Sequence, residues 1–265
     1  MSALALIGLK KVFEKDTPNA KIALNGIDLD VRSGDFITVL GSNGAGKSTL
    51  FNAILGKFRL DKGKIILDGE DLTRQKDYQR ALNIGCLYQN PLRGTAPNMT
   101  IEENLALAYT RKASKSFFAV NRKDSEYFRT LLRELNLGLE NRMKMKMGLL
   151  SGGQRQAAAL LMAIIAEPKL LLLDEHTAAL DPSTAEKVLN LTKQIVASRR
   201  LTCMMITHNM QSALEMGNRT VMMDEGRIVL DVSGKERAEM TVPQLVARFK
   251  ENAGKELAAD RMLLE

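Results

Sequence analysis

The chain has 265 residues, enough for one large domain or for one domain that carries a smaller lobe. Hydrophobic residues make up 45% of it and charged residues 26%, ordinary values for a globular protein that buries a core. The net charge of +7 suggests an anionic partner such as a nucleotide, a nucleic acid or a membrane surface, although excess lysine is commonly only solvated surface.

The sequence predicts neither a secretion signal nor a membrane span. The first residues, MSALALIGLKK, lack the basic region and the cleavage site of a signal peptide. The longest apolar run, around residues 157–166, is far shorter than the roughly 20 residues that a membrane helix needs. Cys86 and Cys203 lie in apolar segments, which favours buried thiols in a reducing compartment over a disulfide or a metal site. We therefore expect a cytoplasmic protein.

The first third of the chain predicts a β-rich entry, a glycine-rich loop and a helix. Residues 4–40 alternate short apolar runs with turn signals at Asn25-Gly26 and Ser33-Gly34-Asp35. The further predicted elements are the strand FITVL (36–40), a helix from Lys47 to about Leu55, the strand KIILDG and a strand near residues 84–88.

The rest of the chain predicts an inserted helical lobe and then strands that alternate with helices. Residues 101–146 are rich in helix formers and basic residues and show no strand-like alternation. The elements predicted after them are a helix following Ser151, the strand LLLLD (170–174), a helix over 183–198, the strand LTCMMIT, a short helix, the strand pair in TVMMDEGRIVL and a charged helical stretch from Val242. This alternation, with uniformly apolar strands, indicates an α/β fold around a parallel sheet covered on both faces.

A phosphate-binding loop lies between the strand FITVL and its following helix. The segment fits the pattern G-x-x-x-x-G-K-[ST], and its members are Gly41, Ser42, Asn43, Gly44, Ala45, Gly46, Lys47, Ser48 and Thr49. Glycines let the backbone wrap phosphate oxygens, and the helix N-terminus presents positive potential to them. Lys47 would then bridge the β- and γ-phosphates, and Ser48 would give its hydroxyl to Mg²⁺. The pattern predicts nucleotide binding without separating kinases, GTPases and ATPases.

Two acidic residues, Asp174 and Glu175, follow the strand LLLLD, at the sheet edge where open α/β proteins bind ligands. Alone, such a pair is more often a turn or a helix cap. Coupled to a phosphate loop, it predicts that Asp174 holds Mg²⁺ and that Glu175 polarises the water that attacks the γ-phosphate.

A second anion-ready helix start occurs in LSGGQRQ, where Ser151, Gly152 and Gly153 precede Gln154. Taken alone, it is an ordinary N-capped helix. One phosphate loop needs no second phosphate site, so the pair suggests a head-to-tail dimer in which this segment closes over the nucleotide of the other subunit.

In this order the motifs resemble those of the nucleotide-binding subunit of ABC transporters, over about residues 4–232. The matching segments are the phosphate loop (Walker A), Gln89 in LYQNP, LSGGQ, LLLLDE (Walker B), Ala179-Leu180-Asp181 and His208 in ITHNM. The resemblance implies a P-loop NTPase core with a parallel sheet, an N-terminal antiparallel β subdomain and an inserted α-helical subdomain. It places the ATPase domain at 1–241, with the helical subdomain at about 91–160, and a short helical extension at 242–265.

By the same resemblance, further residues receive roles. Gln89 would reach Mg²⁺ and the water, His208 would contact the γ-phosphate, and Asp181 would touch the opposite subunit's phosphate loop. Phe13 would stack on adenine; the alternative is a core strand residue. The alternative for His208 is an ordinary loop histidine.

The chain departs from the family's usual pattern at three places. His176 stands where proline is usual, which predicts a changed loop; the segment EKDTPNAK after Phe13 looks long; and MKMKMG lacks the glutamate motif typical of exporters, which favours an importer.

The resemblance implies ATP and Mg²⁺ as ligands, an ATP-bound homodimer, an integral membrane permease at the inner face of the cell membrane, and an extracytoplasmic substrate-binding protein. Residues 90–108 would receive the permease, although a well-packed loop is the alternative. The nearby basic residues Arg111, Lys112, Lys115, Arg122 and Lys123 would face either lipid headgroups or solvent.

Three functions compete. The first is the motor of an importer, with amino acids as a candidate cargo. The second is a soluble ABC ATPase of an assembly or cell-division complex. The third, a nucleic-acid or translation ATPase, lacks the second cassette or long coiled coil of such proteins, so we expect no nucleic acid.

Overall fold

The computed structural model describes residues 2–111 and 121–253, in which ten strands and nine α-helices follow one another. The strands are β1 (Ser2–Phe13), β2 (Lys21–Arg32), β3 (Phe36–Gly41), β4 (Lys62–Leu67), β5 (Glu70–Asp71), β6 (Ile84–Leu87), β7 (Leu170–Asp174), β8 (Cys203–Ile206), β9 (Arg219–Asp224) and β10 (Arg227–Ser233). The helices are α1 (Lys47–Ile54), α2 (Asp77–Arg80), α3 (Ile101–Tyr109), α4 (Arg122–Arg133), α5 (Gly152–Ile164), α6 (Pro182–Ser198), α7 (Met210–Met216), α8 (Gly234–Ala238) and α9 (Val242–Ala253). They form two compact units, one built from the chain up to Arg80 and from Arg200 onward, the other from Ala81–Arg199.

Two sets of strands build the first unit. β2, β1, β4 and β5 form an antiparallel sheet in that order. In the other set β3 runs parallel to both β8 and β9, and β9 pairs with β10 in the antiparallel sense. Every residue of β3 is buried, as expected of a strand with neighbours on both sides and both faces covered. The position at which the phosphate loop begins is therefore fixed by β3.

The predicted turn at Asn25-Gly26 is wrong, because both residues lie inside β2. In the pairing with β1, Leu9 faces Ile27 and Lys10 faces Asn25, so Gly26 is the extra residue of a β-bulge. Its φ of +83° is one that glycine adopts without strain. An Asn-Gly pair is a strong hairpin signal, but here the same backbone freedom serves a bend within a long strand.

The C-terminal helix α9 contributes to the core of the first unit. Leu245 and Phe249 are fully buried in a cluster with Met210 and Ala213 of α7. The other buried members of this cluster are Leu40, Met222, Leu230 and Val232. The carbonyl of Ala213 also accepts hydrogen bonds from the Arg237 guanidinium at 2.7 Å and from the Thr38 hydroxyl at 3.1 Å. Helix α7 is therefore packed and hydrogen-bonded from several sides.

The second unit combines a strand pair with the helical lobe that the sequence predicts. β6 and β7 run parallel, with Leu87 opposite Leu173. Helix α5 is buried along most of its length and contacts α3, α4 and α6, so it is the central helix of this unit. In the described part of this unit, 3-10 segments also occur at Pro91–Gly94, Leu139–Asn141 and Met147–Leu149.

The α/β class with parallel strands, a separate antiparallel sheet and added helices is confirmed. The short elements β5, α2 and α8 were not predicted. Lys112, Lys115 and the part of the predicted helical extension after residue 253 lie outside the described residues, and the division of the chain at residue 241 stays a prediction. Within residues 2–111 and 121–253, each helix is too short or too polar to reach across a bilayer.

Candidate functional site

The phosphate loop passes directly from β3 into α1, with Gly46 as the residue that caps the helix. Gly46 has φ +103°, in the left-handed region, and a Cβ atom there would lie 2.5 Å from the carbonyl oxygen of Ala23. Only glycine fits, because any side chain would meet both a backbone clash and a strained dihedral. Asn43, Gly44 and Ser48 are exposed around this helix start, while Ala45 is buried. The loop therefore offers an accessible helix N-terminus to an anion.

Lys47 lies inside the loop that it follows. Its ammonium group donates to the carbonyls of Gly41 at 2.7 Å and Ser42 at 3.1 Å, and the side chain is buried. A second support comes from the turn between β9 and β10, where the Gly226 N–H donates to the Ala45 carbonyl at 3.0 Å. This role of Gly226 was not predicted, although the Glu225-Gly226 turn signal is visible in the sequence.

Arg80 was also missed, and it fixes the far end of α1. Its guanidinium is buried and donates to the carbonyls of Ala53 at 2.8 Å and Ile54 at 2.9 Å, which belong to the last turn of the helix. It also donates to the carbonyls of Gln75 and Thr73 at 3.1 and 3.2 Å. These bonds satisfy carbonyls that a helix end leaves without an intrahelical partner. No local sequence pattern marks an arginine for this role.

His208 follows β8 beside the phosphate loop's own strand. β8 pairs in parallel with β3, with Ile206 opposite Val39, and the Thr207 N–H donates to the Val39 carbonyl at 3.2 Å. His208 is half-buried, and the next residue, Asn209, caps α7 by accepting from the Ser212 N–H at 2.7 Å. The structure thus places His208 and the phosphate loop at the C-terminal ends of two neighbouring parallel strands.

Phe13 ends β1 and is 37% exposed, so it is not the core strand residue that was the alternative. Its ring makes an edge-to-face contact with Phe58, with centroids 5.3 Å apart, and the Lys11 ammonium lies 5.3 Å from each of the two ring centroids. Phe13 is exposed while Phe58 is half-buried, and an exposed ring with a cation beside it can stack on the planar base of an anionic ligand. Phe58 and Lys11 were not predicted.

In the second unit, Gln89 and Glu175 follow neighbouring parallel strands. Leu87 is opposite Leu173, and each of the two residues lies two positions beyond one of these paired leucines. Both therefore lie at the C-terminal ends of the two strands. Gln89 is exposed, and Asp174 and Glu175 are half-buried. Glu175 has φ +44°, a conformation that costs a non-glycine residue about 1–3 kcal/mol and persists only where its surroundings enforce it. Seven other non-glycine residues in the described part of the chain also have a positive φ, so this angle alone does not mark a functional site.

His176 is buried directly after Glu175. Its Nε2 lies 3.2 Å from the hydroxyl oxygen of Thr192 in α6, and that hydroxyl donates to the Val188 carbonyl at 2.8 Å. Burial lowers the pKa of His176 to about 4, so the ring is neutral near pH 7. Where the sequence predicted only a changed loop, the structure shows a side chain that ties the acidic turn to a helix.

The predicted second anion site is the N-terminus of α5. The Ser151 hydroxyl accepts from the Gln154 N–H, and the Gln154 amide oxygen accepts from the Ser151 N–H, both at 3.3 Å. This reciprocal capping box fixes the helix start while Ser151 and Gly152 remain exposed. A Cβ on Gly153 would lie 2.3 Å from the Thr184 methyl group in α6, so the close approach of the two helix starts requires glycine.

Asp181 caps α6 close to this point. Its carboxylate accepts from the Thr184 N–H at 3.1 Å, and hydrogen bonds from the Thr184 side chain and backbone hold the pKa of Asp181 below its usual value. Leu180 lies near Gly152, since a Cβ on that glycine would be 3.0 Å from a Leu180 methyl carbon. The structure therefore brings Asp181 and the start of α5 together within one unit.

The segment after Gln89 is held by Asn104, which was not predicted as a site residue. Asn104 is fully buried in α3, and its amide donates to the carbonyls of Ala96 at 3.0 Å and Thr100 at 2.9 Å while accepting from the Ala96 N–H at 2.7 Å. Farther along, Gln156 of α5 donates to the Tyr88 carbonyl at 3.4 Å. Residues 96–100 thus form a loop that is fixed to α3.

The family model described as ABC transporter matches residues 24–178, more than half of the chain. The chain belongs to this ABC transporter family. A protein named tyrosine transport ATP-binding protein, from Clostridioides difficile (strain R20291), is 38% identical to this ABC subunit over 93% of the chain and 98% of that protein. The xylose/arabinose import ATP-binding protein XylG of Sulfolobus acidocaldarius is 32% identical over 86% of the chain and 88% of that protein.

Solved structures of ABC cassettes share the fold. The ADP conformation of the cassette MJ1267 superposes with a TM-score of 0.77 at 25% identity, covering 94% of this chain and 98% of that one. A dimeric post-hydrolysis state of the cassette MJ0796, bound to ADP and Pi, gives a TM-score of 0.75 at 26% identity and covers 87% and 98%. The chain is therefore an ATP-binding ABC ATPase with the cassette fold.

Proposed function

We propose that this ABC ATPase energises solute import through a permease by closing as a homodimer around ATP. The observation that carries the proposal is the pair of accessible helix starts, α1 after Gly46 and α5 after Ser151, in a chain with one phosphate loop. A helix start attracts anions through its N–H groups and dipole. Two such sites with one loop are accounted for when each subunit completes the site of its partner.

ATP binding is assigned to the phosphate loop. The residues from Gly41 to Thr49 surround the phosphates, and Lys47, already inside the loop, exchanges carbonyl oxygens for the β- and γ-phosphate oxygens. Phe13, with Phe58 and Lys11 beside it, stacks on the adenine ring. Its exposure and cation neighbour support that role over a packing one.

Hydrolysis is assigned to residues that follow strands. Glu175 polarises the attacking water, Gln89 orients it, and His208 contacts the γ-phosphate. The oxygen donors of Ser48, Gln89 and Asp174 fit Mg²⁺, which prefers carboxylate and other hard oxygen ligands together with phosphates. When bound, this ion neutralises charge on the phosphates.

Dimer closure is assigned to Ser151, Gly152, Gly153 and Gln154, which meet the nucleotide held by the other subunit, and to Asp181, which touches that subunit's phosphate loop. The exposure of Ser151 and Gly152 supports this role. The rigid capping box supports it too, because a preorganised helix start loses little entropy when it meets an anion.

The partners are a permease at the inner face of the membrane and an extracytoplasmic substrate-binding protein. Similarity to proteins named for tyrosine transport and for xylose/arabinose import supports an importer, and the 38% identity to the first makes amino acids the class to test first. The fixed loop at residues 96–100 and the exposed Leu92 before it support docking of a permease segment there.

Glu175→Gln tests the assignment of the base. Because glutamine keeps the shape but cannot polarise water, the variant should bind ATP with parental affinity, lose at least about 100-fold in kcat, and accumulate an ATP-bound dimer. Size-exclusion chromatography with ATP and Mg²⁺ measures the dimer, and phosphate release measures turnover. Parental hydrolysis by this variant contradicts the assignment.

The transport role needs a different experiment. The tagged chain should co-purify in detergent with a multi-span membrane protein, and the reconstituted complex should raise its ATPase rate with an aromatic amino acid but not with xylose or spermidine. Association with soluble proteins alone would defeat the import proposal and favour a non-transport ABC ATPase.

A further inference from the structure

The turn after β7 is fastened to helix α6 by one side chain, His176. The imidazole is 2% exposed, and its Nε2 lies 3.2 Å from the Thr192 hydroxyl. That hydroxyl has a single proton, which it donates to the Val188 carbonyl at 2.8 Å. Toward His176 the hydroxyl can therefore only accept, so Nε2 carries the imidazole proton. The contact is a directed hydrogen bond and sets the orientation of the ring.

Glu175 lies between this anchor and β7. Its φ of +44° is one that few non-glycine residues adopt, and its carbonyl accepts from the Ala178 N–H at 3.0 Å. For a residue with a Cβ atom this conformation is less favourable than helical or extended backbone, so the neighbouring residues help to hold it. On one side β7 supplies that restraint through its pairing with β6, and on the other side the first fixed residue is His176.

We propose that His176 and Thr192 are positioning residues for the Glu175 carboxylate. Their hydrogen bond holds the backbone after Glu175, and with it the direction in which that side chain leaves the strand edge. The inference rests on the proposed role of Glu175 as the base. A proline at position 176 has no side-chain donor for Thr192, so this way of holding the acidic turn depends on the histidine.

Thr192→Val tests the inference, because valine keeps the shape of threonine and removes the acceptor. We expect kcat for ATP hydrolysis to fall by about tenfold to 100-fold, since small displacements of a catalytic group have effects of this size. The dissociation constant for ATP should stay within about twofold, because the phosphate loop is untouched. Thr192→Ser keeps the hydroxyl and should restore most of the rate.

Thr202→Val is the matched control. Thr202 is also buried and also accepts a hydrogen bond, from the Gly34 N–H at 3.1 Å, but it lies in the other unit and outside the proposed machinery. Its kcat should remain parental. An equal fall in both valine variants would reveal general destabilisation and overturn the inference, as would a parental kcat in Thr192→Val. Should Thr192→Val not fold, His176→Phe decides the question by the same criteria.

The Glu175→Gln background separates positioning from a structural defect. With no carboxylate to direct, adding Thr192→Val should leave the residual single-turnover rate unchanged, whereas a structural defect would lower it further. The two proposals also fail separately. Hydrolysis retained by Glu175→Gln defeats the role of the base, while loss in Glu175→Gln with parental turnover in Thr192→Val defeats only the positioning role.

Discussion

The phosphate loop and the acidic turn after β7 are held in different ways. Backbone groups dominate in the loop, where Gly46 adopts φ +103° and the Ala45 carbonyl accepts from Gly226. In the acidic turn, Glu175 is a non-glycine residue at φ +44°, and the side chain of His176 is bonded to Thr192. At Gly46 the backbone conformation and the close approach of Ala23 leave no room for a side chain, whereas a turn held by a side-chain bond can be weakened in steps. Binding and turnover should therefore respond differently to mutation.

The largest effect is expected for Gly46→Ala. A methyl group there would lie 2.5 Å from the Ala23 carbonyl at a strained φ, so the loop must move. We expect ATP affinity to fall beyond detection and the free energy of unfolding to drop by at least about 3 kcal/mol. Nucleotide titration and denaturant unfolding measure the two quantities.

Gly44→Ala is the control for this clash. Gly44 also has a positive φ, of +87°, but a Cβ atom added to it would meet no heavy atom within 4 Å beyond its chain neighbours. The strained φ alone should therefore lower its free energy of unfolding, by about 1 kcal/mol, and ATP binding should stay measurable. Equal losses in the two alanine variants would show that the close approach to Ala23 does not matter.

Arg80→Ala probes whether the loop depends on backbone alone. The variant leaves the carbonyls of Ala53 and Ile54 without the guanidinium that satisfies them at the end of α1. We expect a loss of about 2–3 kcal/mol in the free energy of unfolding. ATP affinity should fall less than in Gly46→Ala, because α1 keeps its N-terminus. Undetectable ATP binding in Arg80→Ala would contradict this expectation.

Acid should destabilise the folded chain through His176, because its burial disfavours the protonated ring. His176 has a pKa of about 4 when folded, against 6.5 for the unperturbed side chain, so between these values the unfolded chain binds a proton that the folded chain does not. Its contribution to stability is complete above pH 6.5 and declines as the pH falls, by about 1.4 kcal/mol per unit and about 3 kcal/mol at pH 4.

His176→Phe should lack this part of the pH dependence. The difference between the unfolding free energies of the two nucleotide-free proteins, measured from pH 7 to pH 4, isolates the histidine from all other groups. A difference that does not change across this range would show that His176 can be protonated in the folded chain.

Much of the site could be predicted because its functional groups lie in short motifs of contiguous residues. The phosphate loop, the Ser151 helix start and the strand before Asp174 each combine a local pattern with a local structure, and the structure has all three elements. The roles assigned to their side chains stay predictions.

What could not be predicted depends on contacts between distant parts of the sequence. Thr192 is 16 residues from His176, and Arg80 is 26 residues from Ile54, so no local pattern pairs them. Asn25-Gly26 failed for the opposite reason, because its local signal is real but the pairing of β1 with β2 uses it as a bulge. The short elements β5 and α2 offer too few residues for any periodicity to be visible.

Helix α7 has only seven residues, from Met210 to Met216, and so short a helix does not persist on its own in water. Its retention depends in part on Leu245 and Phe249 of α9, which share a buried cluster with Met210 and Ala213. The segment after His208 is thus stabilised by packing against a part of the chain more than thirty residues away. A shortened protein that ended before α9 would lose this packing. We expect α7 and the preceding His208 to be less ordered in it, even if the phosphate loop were intact.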